Sequence, residues 1–516
     1  MGKPRRKLAE SLEILRALQH KKHLVAIKAT EISRTHQERL LRNGFLKTVS
    51  KGWFIATNPS EKQGDSTSWY TSYWQFCARF LASKFGKKYC VSAEQSILIH
   101  AGNRTVPQQM IVRAAKGSNS SIELLHNTSL YVMQSTLPKK AEITVVDGIR
   151  VLDLPFALIH CSPVMYEQDP IEMRTVLALV TDASEILAPL LSGSHSVVAG
   201  RLAGAFRNIG RDRIADEIVK TMRAADYKVW EVDPFKGESH VSLGFRERSP
   251  YANRLKLTWK AMREEVIAHF PKEPGLSADS EQYLRSVDEI YVTDAYHSLS
   301  IERYTVSAEL IEQVRSGEWS LENEADRKQR DAMAARGYWQ AAQAVKKSIG
   351  NVLAGANAGF VGDREHGDWY RELFAPSVAL GLLAVSDLAG YRVNQVFITN
   401  SMHVPMSKDA VRDAMPVLFE LLSDEPHAGV RAVLGHFIFV YIHPYMDGNG
   451  RMGRFLMNVM LASGGYPWTV IPVQERENYM KALERASVEN DIAPFAKFIG
   501  DLVQHSLDGS PVAKLL

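Results

Sequence analysis

The chain has 516 residues, of which 45% are hydrophobic and 23% are charged, and this composition is ordinary for a folded protein of two to four domains. Its net charge of +4 is too small to indicate a partner for the chain as a whole. The three cysteines have no metal-ligand spacing and fit a reducing cytoplasm. No apolar run has membrane-spanning length, and the start has no apolar signal core, so the sequence predicts a cytoplasmic protein without a membrane partner.

The first 60 residues are strongly basic, with 13 Lys or Arg against 4 Asp or Glu, which gives a local charge of +9. Helical periodicity over 8–18 and an apolar stretch at 25–32 are followed by a capping box, Thr35 to Glu38, which predicts the start of a third helix. A β-hairpin is predicted over 45–57. Three helices and a hairpin predict a winged-helix domain over residues 1–60.

A winged helix would place its recognition helix and its wing against DNA. The candidate DNA contacts are Arg34, His36 and Arg39 on the helix and Lys51 on the wing. By its Gly-x-Leu and Gly-x-aromatic hairpin, the stretch is similar to the N-terminal domain of the antitoxins in abortive-infection nucleotidyltransferase systems. Because winged helices also serve as protein-interaction modules, both kinds of partner stay open.

The middle of the chain alternates strand-like and helix-like segments behind a polar linker at 58–72. It predicts an α+β domain of unknown role over 73–235. The cluster of Pro and Gly at 270–275 is the clearest break, so 236–275 is predicted to be a helical connector and 276–516 a mainly helical domain. The chain is therefore expected to be multidomain.

The stretch from 443 to 454 contains the parts of a phosphate-transfer site. An apolar segment before it and a helical stripe after it predict a helix, a loop and a second helix, with the loop at a helix N-terminus that attracts anions. The candidate residues are a proton acceptor, His443; a metal ligand, Asp447; a phosphate-binding loop, Gly448, Asn449 and Gly450; and two phosphate-binding arginines, Arg451 and Arg454.

This window resembles the signature of the Fic family, His-x-aromatic-x-Asp/Glu-Gly-Asn-Gly-Arg-x-x-Arg, with Tyr445 where Phe is commoner. Similarity continues downstream to Phe495 and upstream into a segment that looks like the family's flap hairpin, from Gly390 to Pro405. The resemblance implies that His403, Val404 and Pro405 form a strand-like edge that holds the backbone of a target protein by β-augmentation.

A second element, from Tyr296 to Arg303, is similar to the inhibitory helix of autoinhibited Fic proteins. Ser298 and Glu302 stand at its Ser and Glu positions, while Arg303 replaces the usual Gly or Asn. The resemblance implies that Glu302 pairs with Arg454 and disfavours productive ATP binding.

The resemblance implies transfer of AMP from ATP to a Ser, Thr or Tyr hydroxyl of a protein. His443 would take the proton, Asp447 would hold Mg²⁺, and the loop with its arginines would grip the phosphates. Removal of AMP, with Glu302 orienting a water molecule, is implied as a second activity. In the nucleotide pocket, Tyr479 is retained, whereas Ser487 stands where relatives have Asn and Met480 replaces one of two tyrosines.

These departures leave the nucleotide open, so that transfer of UMP or of a phosphoryl group is one alternative. Another is a DNA-binding, antitoxin-like regulator whose Fic fold only senses nucleotide. An intact His443 argues against a pure sensor, since a sensor would not need a base there. The oligomeric state is open, with a homodimer among the alternatives.

Overall fold

The computed structural model describes residues 3–22, 24–62, 64–236, 249–276, 279–318 and 326–515. It divides into two compact units: the N-terminal unit, Met1–Arg254 with Phe397–Val404, and the C-terminal unit, Leu255–Val396 with Pro405–Leu516. Helices dominate, and the strands of the described residues all lie in the N-terminal unit. The predicted multidomain, mainly helical chain is confirmed, while the four predicted domain ranges stay predictions.

The N-terminal unit begins with two helices and a small antiparallel sheet of order β1-β3-β2. The elements are α1 (Lys3–Lys22), β1 (Ala26–Lys28), α2 (Arg34–Arg42), β2 (Leu46–Ser50) and β3 (Trp53–Ala56). They enclose a small core that contains Leu15, Ile27 and Leu40. The hairpin is confirmed, and the assignment to a winged-helix antitoxin domain stays a prediction.

Two details of this region differ from the prediction. The expected second helix is strand β1 followed by a single 3₁₀ turn, because the backbone there pairs with β3 instead of with itself. The expected capping box is absent, because α2 begins one residue before Thr35. Ser33 takes the extended N-cap conformation, and its side chain makes no capping hydrogen bond.

The rest of the N-terminal unit surrounds a four-stranded sheet of order β4-β5-β7-β6, in which β5 and β7 are parallel, and a two-stranded ladder of β8 and β9. Its strands are β4 (Tyr89–Val91), β5 (Gln109–Ala114), β6 (Ser120–Glu123), β7 (Ser129–Gln134), β8 (Ile143–Val146) and β9 (Ile149–Leu152). Its helices are α3 (Thr67–Phe85), α4 (Ala93–His100), α5 (Leu154–His160), α6 (Met165–Gln168), α7 (Pro170–Leu179), α8 (Ser184–Ser192), α9 (Ser196–Asn208) and α10 (Asp212–Ala224).

The predicted linker over 58–72 is too long, because α3 already begins at Thr67. Aromatic side chains repeat along one face of this helix and fill the main core of the unit, among them Trp69, Tyr73, Phe76 and Phe80. Burial of such large rings stabilises the helix although the sequence at its N-terminal end is polar.

The C-terminal unit is built from helices only, as far as its residues are described. The helices are α11 (Pro250–His269), which starts in the N-terminal unit, α12 (Ser280–Ile301), α13 (Ala308–Ser316), α14 (Asp326–Leu353), α15 (Ala358–Ala379), α16 (Lys408–Asp424), α17 (Ala428–Ile442), α18 (Asn449–Ala462), α19 (Arg476–Val488) and α20 (Ala493–Leu507). The apolar helix α17 is buried along almost its whole length, as its sequence predicts.

Within the described ranges, no single helix is both long and apolar enough to cross a membrane. Helices α7 and α8 meet that criterion only together, and the chain bends by 105° at the break between them.

Candidate active site

The loop between α17 and α18 is closed by two residues in the left-handed conformation. His443 caps α17 with φ 55° and ψ 61°, and Gly448 precedes α18 with φ 79°. A Cβ at Gly448 would come within 2.8 Å of the Phe374 ring, so this position requires glycine for space as well as for φ. The loop therefore lies at the N-terminus of α18, where free N–H groups point outward, as predicted.

The imidazole of His443 is held in one tautomer. Its Nδ1 lies 3.1 Å from the carbonyl oxygen of Val440, which can only accept, so Nδ1 carries the proton and Nε2 keeps its lone pair as an acceptor. Burial lowers the pKa of His443 to about 4, and the positive charge of Arg392 acts in the same direction. The imidazole is therefore neutral at pH 7 and able to accept a proton.

Arg392 donates hydrogen bonds to two carbonyl groups of this loop. Its position in the sequence did not indicate this role. Its backbone N–H donates to Pro444 O at 2.9 Å, and its Nε donates to His443 O at 2.8 Å. A third donor, Nη1, reaches Asn394 O at 3.1 Å. Burial lowers the pKa of this arginine to about 10, and it stays charged. The loop between α17 and α18 is thus tied to the segment that begins the predicted flap.

Asp447 is the exposed carboxylate of the loop. Gly448 N–H donates to its Oδ1 at 2.6 Å, and its Oδ2 lies 3.6 Å from Nη2 of Arg451. No group of three His, Cys, Asp or Glu side chains in the described residues could hold a metal ion. One exposed carboxylate fits a magnesium ion that is shared with substrate phosphates, and does not fit a site made by protein ligands alone.

Arg451 is buried between two aromatic rings. Its guanidinium carbon lies 5.2 Å from the ring centre of Tyr304 and 5.0 Å from that of Phe374. Among the residues described, none accepts a hydrogen bond from its buried Nε. A buried donor without an acceptor is expected where an anionic ligand binds.

The side chain of Asn449 has a structural part within the loop. Its Oδ1 accepts from the N–H of Tyr445 and its Nδ2 donates to the carbonyl of Tyr445, both at 2.9 Å. Because both ends of the amide bond to Tyr445, the side chain stabilises the loop, and phosphate binding by the loop N–H groups stays a prediction. Its backbone N–H remains at the start of α18.

Arg454 contacts Ser298 and Glu302, the two residues selected on the predicted inhibitory helix. Its Nε donates to Ser298 Oγ at 2.9 Å, and its Nη2 donates to Ser298 O at 3.1 Å and to Glu302 Oε1 at 2.8 Å. Its buried Nη1 finds no hydrogen-bond partner in the described part of the chain. A Cβ at Gly450 would lie 2.3 Å from Glu302 Oε1, so this carboxylate lies directly against Gly450 in the first turn of α18. The structure brings these residues together, and their inhibitory role stays a prediction.

Arg303 preserves the helix end although it replaces Gly or Asn. Its φ is +67°, and its N–H donates to Ser300 O at 2.9 Å while Tyr304 N–H donates to Leu299 O at 3.1 Å. These two bonds form a Schellman motif, in which the left-handed position usually belongs to glycine. A residue with a Cβ holds this conformation at a cost of about 1 kcal/mol.

The Arg303→Gly variant should therefore be more stable, by roughly 0.5–1 kcal/mol after the greater chain entropy of glycine is included. Thermal denaturation followed by circular dichroism measures this as a higher Tm. Arg303→Ala is the matched control, since it removes the guanidinium but keeps the Cβ. An equal rise in Tm for both variants would assign the effect to the side chain and contradict the backbone explanation.

The predicted pocket residue Tyr479 is buried on α19. Its hydroxyl is 2.7 Å from Nε2 of His436, a buried histidine that sequence analysis did not select. Burial, assisted by the charge of Arg454, lowers the pKa of His436 to about 3. Tyr479 is thus hydrogen-bonded to α17, and its part in the nucleotide pocket stays a prediction. Ser487 lies two turns later on α19 and is half-buried.

The flap prediction is wrong in its secondary structure. Residues 390–405 are described and form no strand. His403 and Val404 are buried in the N-terminal unit, and Met402 O already accepts from Val106 N–H at 2.9 Å. Pro405 O accepts from the Gln395 side chain at 2.7 Å. Because these contacts replace a hairpin ladder, the segment offers no free strand edge in this conformation.

The candidate DNA-binding residues are partly engaged elsewhere. His36 Nδ1 lies 2.9 Å from Ser11 Oγ, and Arg39 donates to Ser11 Oγ at 2.7 Å, so both face α1. Arg34 pairs with Glu38 at 3.0 Å on the exposed face of α2, and Lys51 is exposed at the hairpin turn. DNA binding stays a prediction.

Comparison with known proteins identifies the region around the loop. Residues 369–461 match the model of the Fic/DOC family. Over 122 residues the chain is 38% identical to "Protein adenylyltransferase Fic" of Drosophila willistoni, which covers 23% of this chain and 24% of that protein. The protein of the same name from Nematostella vectensis is also 38% identical over 122 residues, or 28% of its length. The chain thus matches about a quarter of the length of these relatives.

Two solved structures show weaker similarity. Fic-1 (residues 134–508) from C. elegans is 16% identical with a TM-score of 0.37, covering 66% of this chain and 90% of that one. A Fic-domain-containing signalling protein from Bacteroides thetaiotaomicron is 17% identical with a TM-score of 0.35, covering 51% and 99%. Scores this low do not establish a shared overall fold.

Proposed function

We propose, from the premise that this chain belongs to the Fic/DOC family through residues 369–461, that it transfers the AMP unit of ATP to a hydroxyl of a protein side chain. The observation that carries the proposal is the pairing of a neutral, correctly protonated His443 with an anion-binding helix start. The donors of Arg451 and Arg454 that lack acceptors in the described structure supply the cationic part of this site. The names of the relatives agree with this chemistry.

In the proposed reaction, Nε2 of His443 accepts the proton of a target Ser, Thr or Tyr hydroxyl. The hydroxyl oxygen forms a bond to the α-phosphorus, the bond from that phosphorus to the bridging oxygen breaks, and pyrophosphate leaves. The N–H groups at the start of α18 and the guanidinium of Arg451 hold the phosphates, and Arg454 holds the terminal one. Positioning and electrostatic stabilisation carry most of the catalysis.

Magnesium fits the proposal through Asp447, whose exposed carboxylate lies at the edge of the phosphate loop. When bound, the ion neutralises charge on the phosphate oxygens. Asp447 is itself oriented by the N–H of Gly448 and by Arg451.

Glu302 supports autoinhibition, because its carboxylate occupies the same Nη2 of Arg454 that a terminal phosphate would use. Removal of AMP, with Glu302 orienting a water molecule, remains a second activity of this proposal. We place the protein in the cytoplasm, because its three cysteines, Cys77, Cys90 and Cys161, are free and buried and fit a reducing compartment.

Labelling of the full chain with four nucleoside triphosphates tests the proposal. The Glu302→Gly variant should become labelled from ATP that carries the label at the α-phosphate, and not from ATP labelled at the γ-phosphate. Stronger labelling from UTP would change the nucleotide, and labelling from γ-phosphate would indicate phosphoryl transfer. Binding of ATP without any labelling would contradict the proposal and favour a nucleotide sensor.

A further inference from the structure

Helix α12 presents a third polar residue in line with Ser298 and Glu302. Asp294, Ser298 and Glu302 are spaced i, i+4 and i+8, which places them along one face of the helix. Ser298 and Glu302 bind Arg454 directly. Asp294 is 4% exposed and has no part in the reaction described above.

Two hydrogen bonds place Asp294 close to Arg454. Nε of Arg454 donates to Ser298 Oγ at 2.9 Å, and the Tyr338 hydroxyl donates to Asp294 Oδ2 at 2.6 Å. Asp294 lies one helical turn before Ser298 on the same face of α12, so the carboxylate and the serine that binds Arg454 are neighbours.

The groups around Asp294 explain why a carboxylate is tolerated in the core. Arg454 and Tyr338 are buried with Asp294, and burial raises the pKa of Asp294 while the Tyr338 bond and the charge of Arg454 oppose that shift. A buried carboxylate persists as an ion only when it is paired and hydrogen-bonded. Arg454 therefore has two counter-charges: Glu302, whose side chain is 30% exposed, and Asp294, which is fixed in the core.

We propose that Asp294 is a positioning residue: held by Tyr338 one helical turn from Ser298, its charge helps to keep Arg454 in place. Its charge also weakens the attraction of Arg454 for the terminal phosphate of the nucleotide, whether or not Glu302 is engaged. The inference rests on the proposed nucleotide site and adds to it a residue that sets the preference for a triphosphate.

Calorimetric titration of the full chain with ATP and with ADP, in the presence of Mg²⁺, tests this role. In a Glu302→Gly background, Asp294→Asn keeps the shape and the acceptor but removes the charge, so ATP should bind about tenfold more tightly. Affinity for ADP should stay within about twofold, since ADP has no terminal phosphate for Arg454 to hold. A structural role alone would not change the ratio of the two affinities.

Tyr291→Phe is the matched control, because Tyr291 is a buried tyrosine on the same helix whose hydroxyl has no hydrogen-bond partner in the described residues. This variant should leave the ratio unchanged. An unchanged ratio in Asp294→Asn, or an equal gain for ATP and ADP, would overturn the inference.

The outcome is separable from that of the proposed function, because nucleotide affinity does not require AMP transfer. If no variant binds nucleotide, the proposed site fails, and the coupling is measured by the thermal unfolding of Asp294→Asn, Arg454→Gln and the double variant. Coupled residues give a loss of Tm in the double variant that is smaller than the two single losses together, whereas additive losses overturn the inference. Ser298→Ala replaces Arg454→Gln if that variant does not fold.

Discussion

Replacing Glu302 with glycine should raise the rate of AMP transfer about 10- to 100-fold at ATP concentrations below saturation. A hydrogen bond to a charged group contributes roughly 1.5–3 kcal/mol, and each 1.4 kcal/mol is a factor of ten. The Glu302 carboxylate lies 2.8 Å from Nη2 of Arg454 and reaches over Gly450, so its removal frees both the guanidinium and the space above the loop. The initial rate of label incorporation from α-labelled ATP measures the effect.

Two further variants show whether charge or shape is responsible. Glu302→Gln keeps the side-chain volume and removes the charge, so its rate should lie between those of the wild type and Glu302→Gly. Glu281→Gln changes an exposed carboxylate in the first turn of the same helix and should leave the rate unchanged. A Glu302→Gly rate equal to that of the wild type would remove the inhibitory role from Glu302.

Replacing His443 with alanine should reduce AMP transfer by about 10²- to 10⁴-fold, the usual contribution of a general base. The imidazole is neutral at pH 7, because its pKa is lowered to about 4, and the Nδ1–H bond to Val440 leaves Nε2 to accept the proton. ATP affinity should change by less than about threefold, because the anion-binding donors belong to α18 and its arginines. Label incorporation and calorimetric titration of the same sample separate the two effects.

The matched control is His505→Ala, which removes an exposed imidazole from α20 and should leave the rate intact. Residual transfer above about a tenth of the wild-type rate in His443→Ala would contradict the role of His443 as the base.

The loop was predictable because its functional residues are contiguous in sequence. Positions 443–454 fix a helix end, a glycine-containing turn and a helix start, and each step depends on local backbone preferences. The contact between Glu302 and Arg454 was reached through family resemblance, since nothing in the spacing of residues 152 positions apart indicates that they meet.

What escaped prediction depends on tertiary packing. Arg392 supports the loop through carbonyl groups of distant segments, and His436 acquires its partner Tyr479 only when α17 and α19 pack together. The flap prediction was wrong for the same reason: the carbonyl of Met402 accepts a hydrogen bond from Val106 N–H and not from a neighbouring strand of a hairpin. Local propensity cannot anticipate such long-range partners.

The start of α2 illustrates a smaller limit. Ser33 and Thr35 are both acceptable N-cap residues, and they differ by only a fraction of a kcal/mol in that role. Pattern alone therefore could not decide between them, and helix ends commonly shift by one or two residues.

The absent side chain at Gly450 has a consequence for how such a protein can diverge. On the proposed function, the space above Gly450 would admit both the nucleotide phosphates and the carboxylate of Glu302. A substitution that closed this space to the inhibitory carboxylate would then close it to the nucleotide as well. The proposal therefore predicts that constitutive activity arises through changes on α12, whereas substitution at position 450 should abolish transfer and inhibition together.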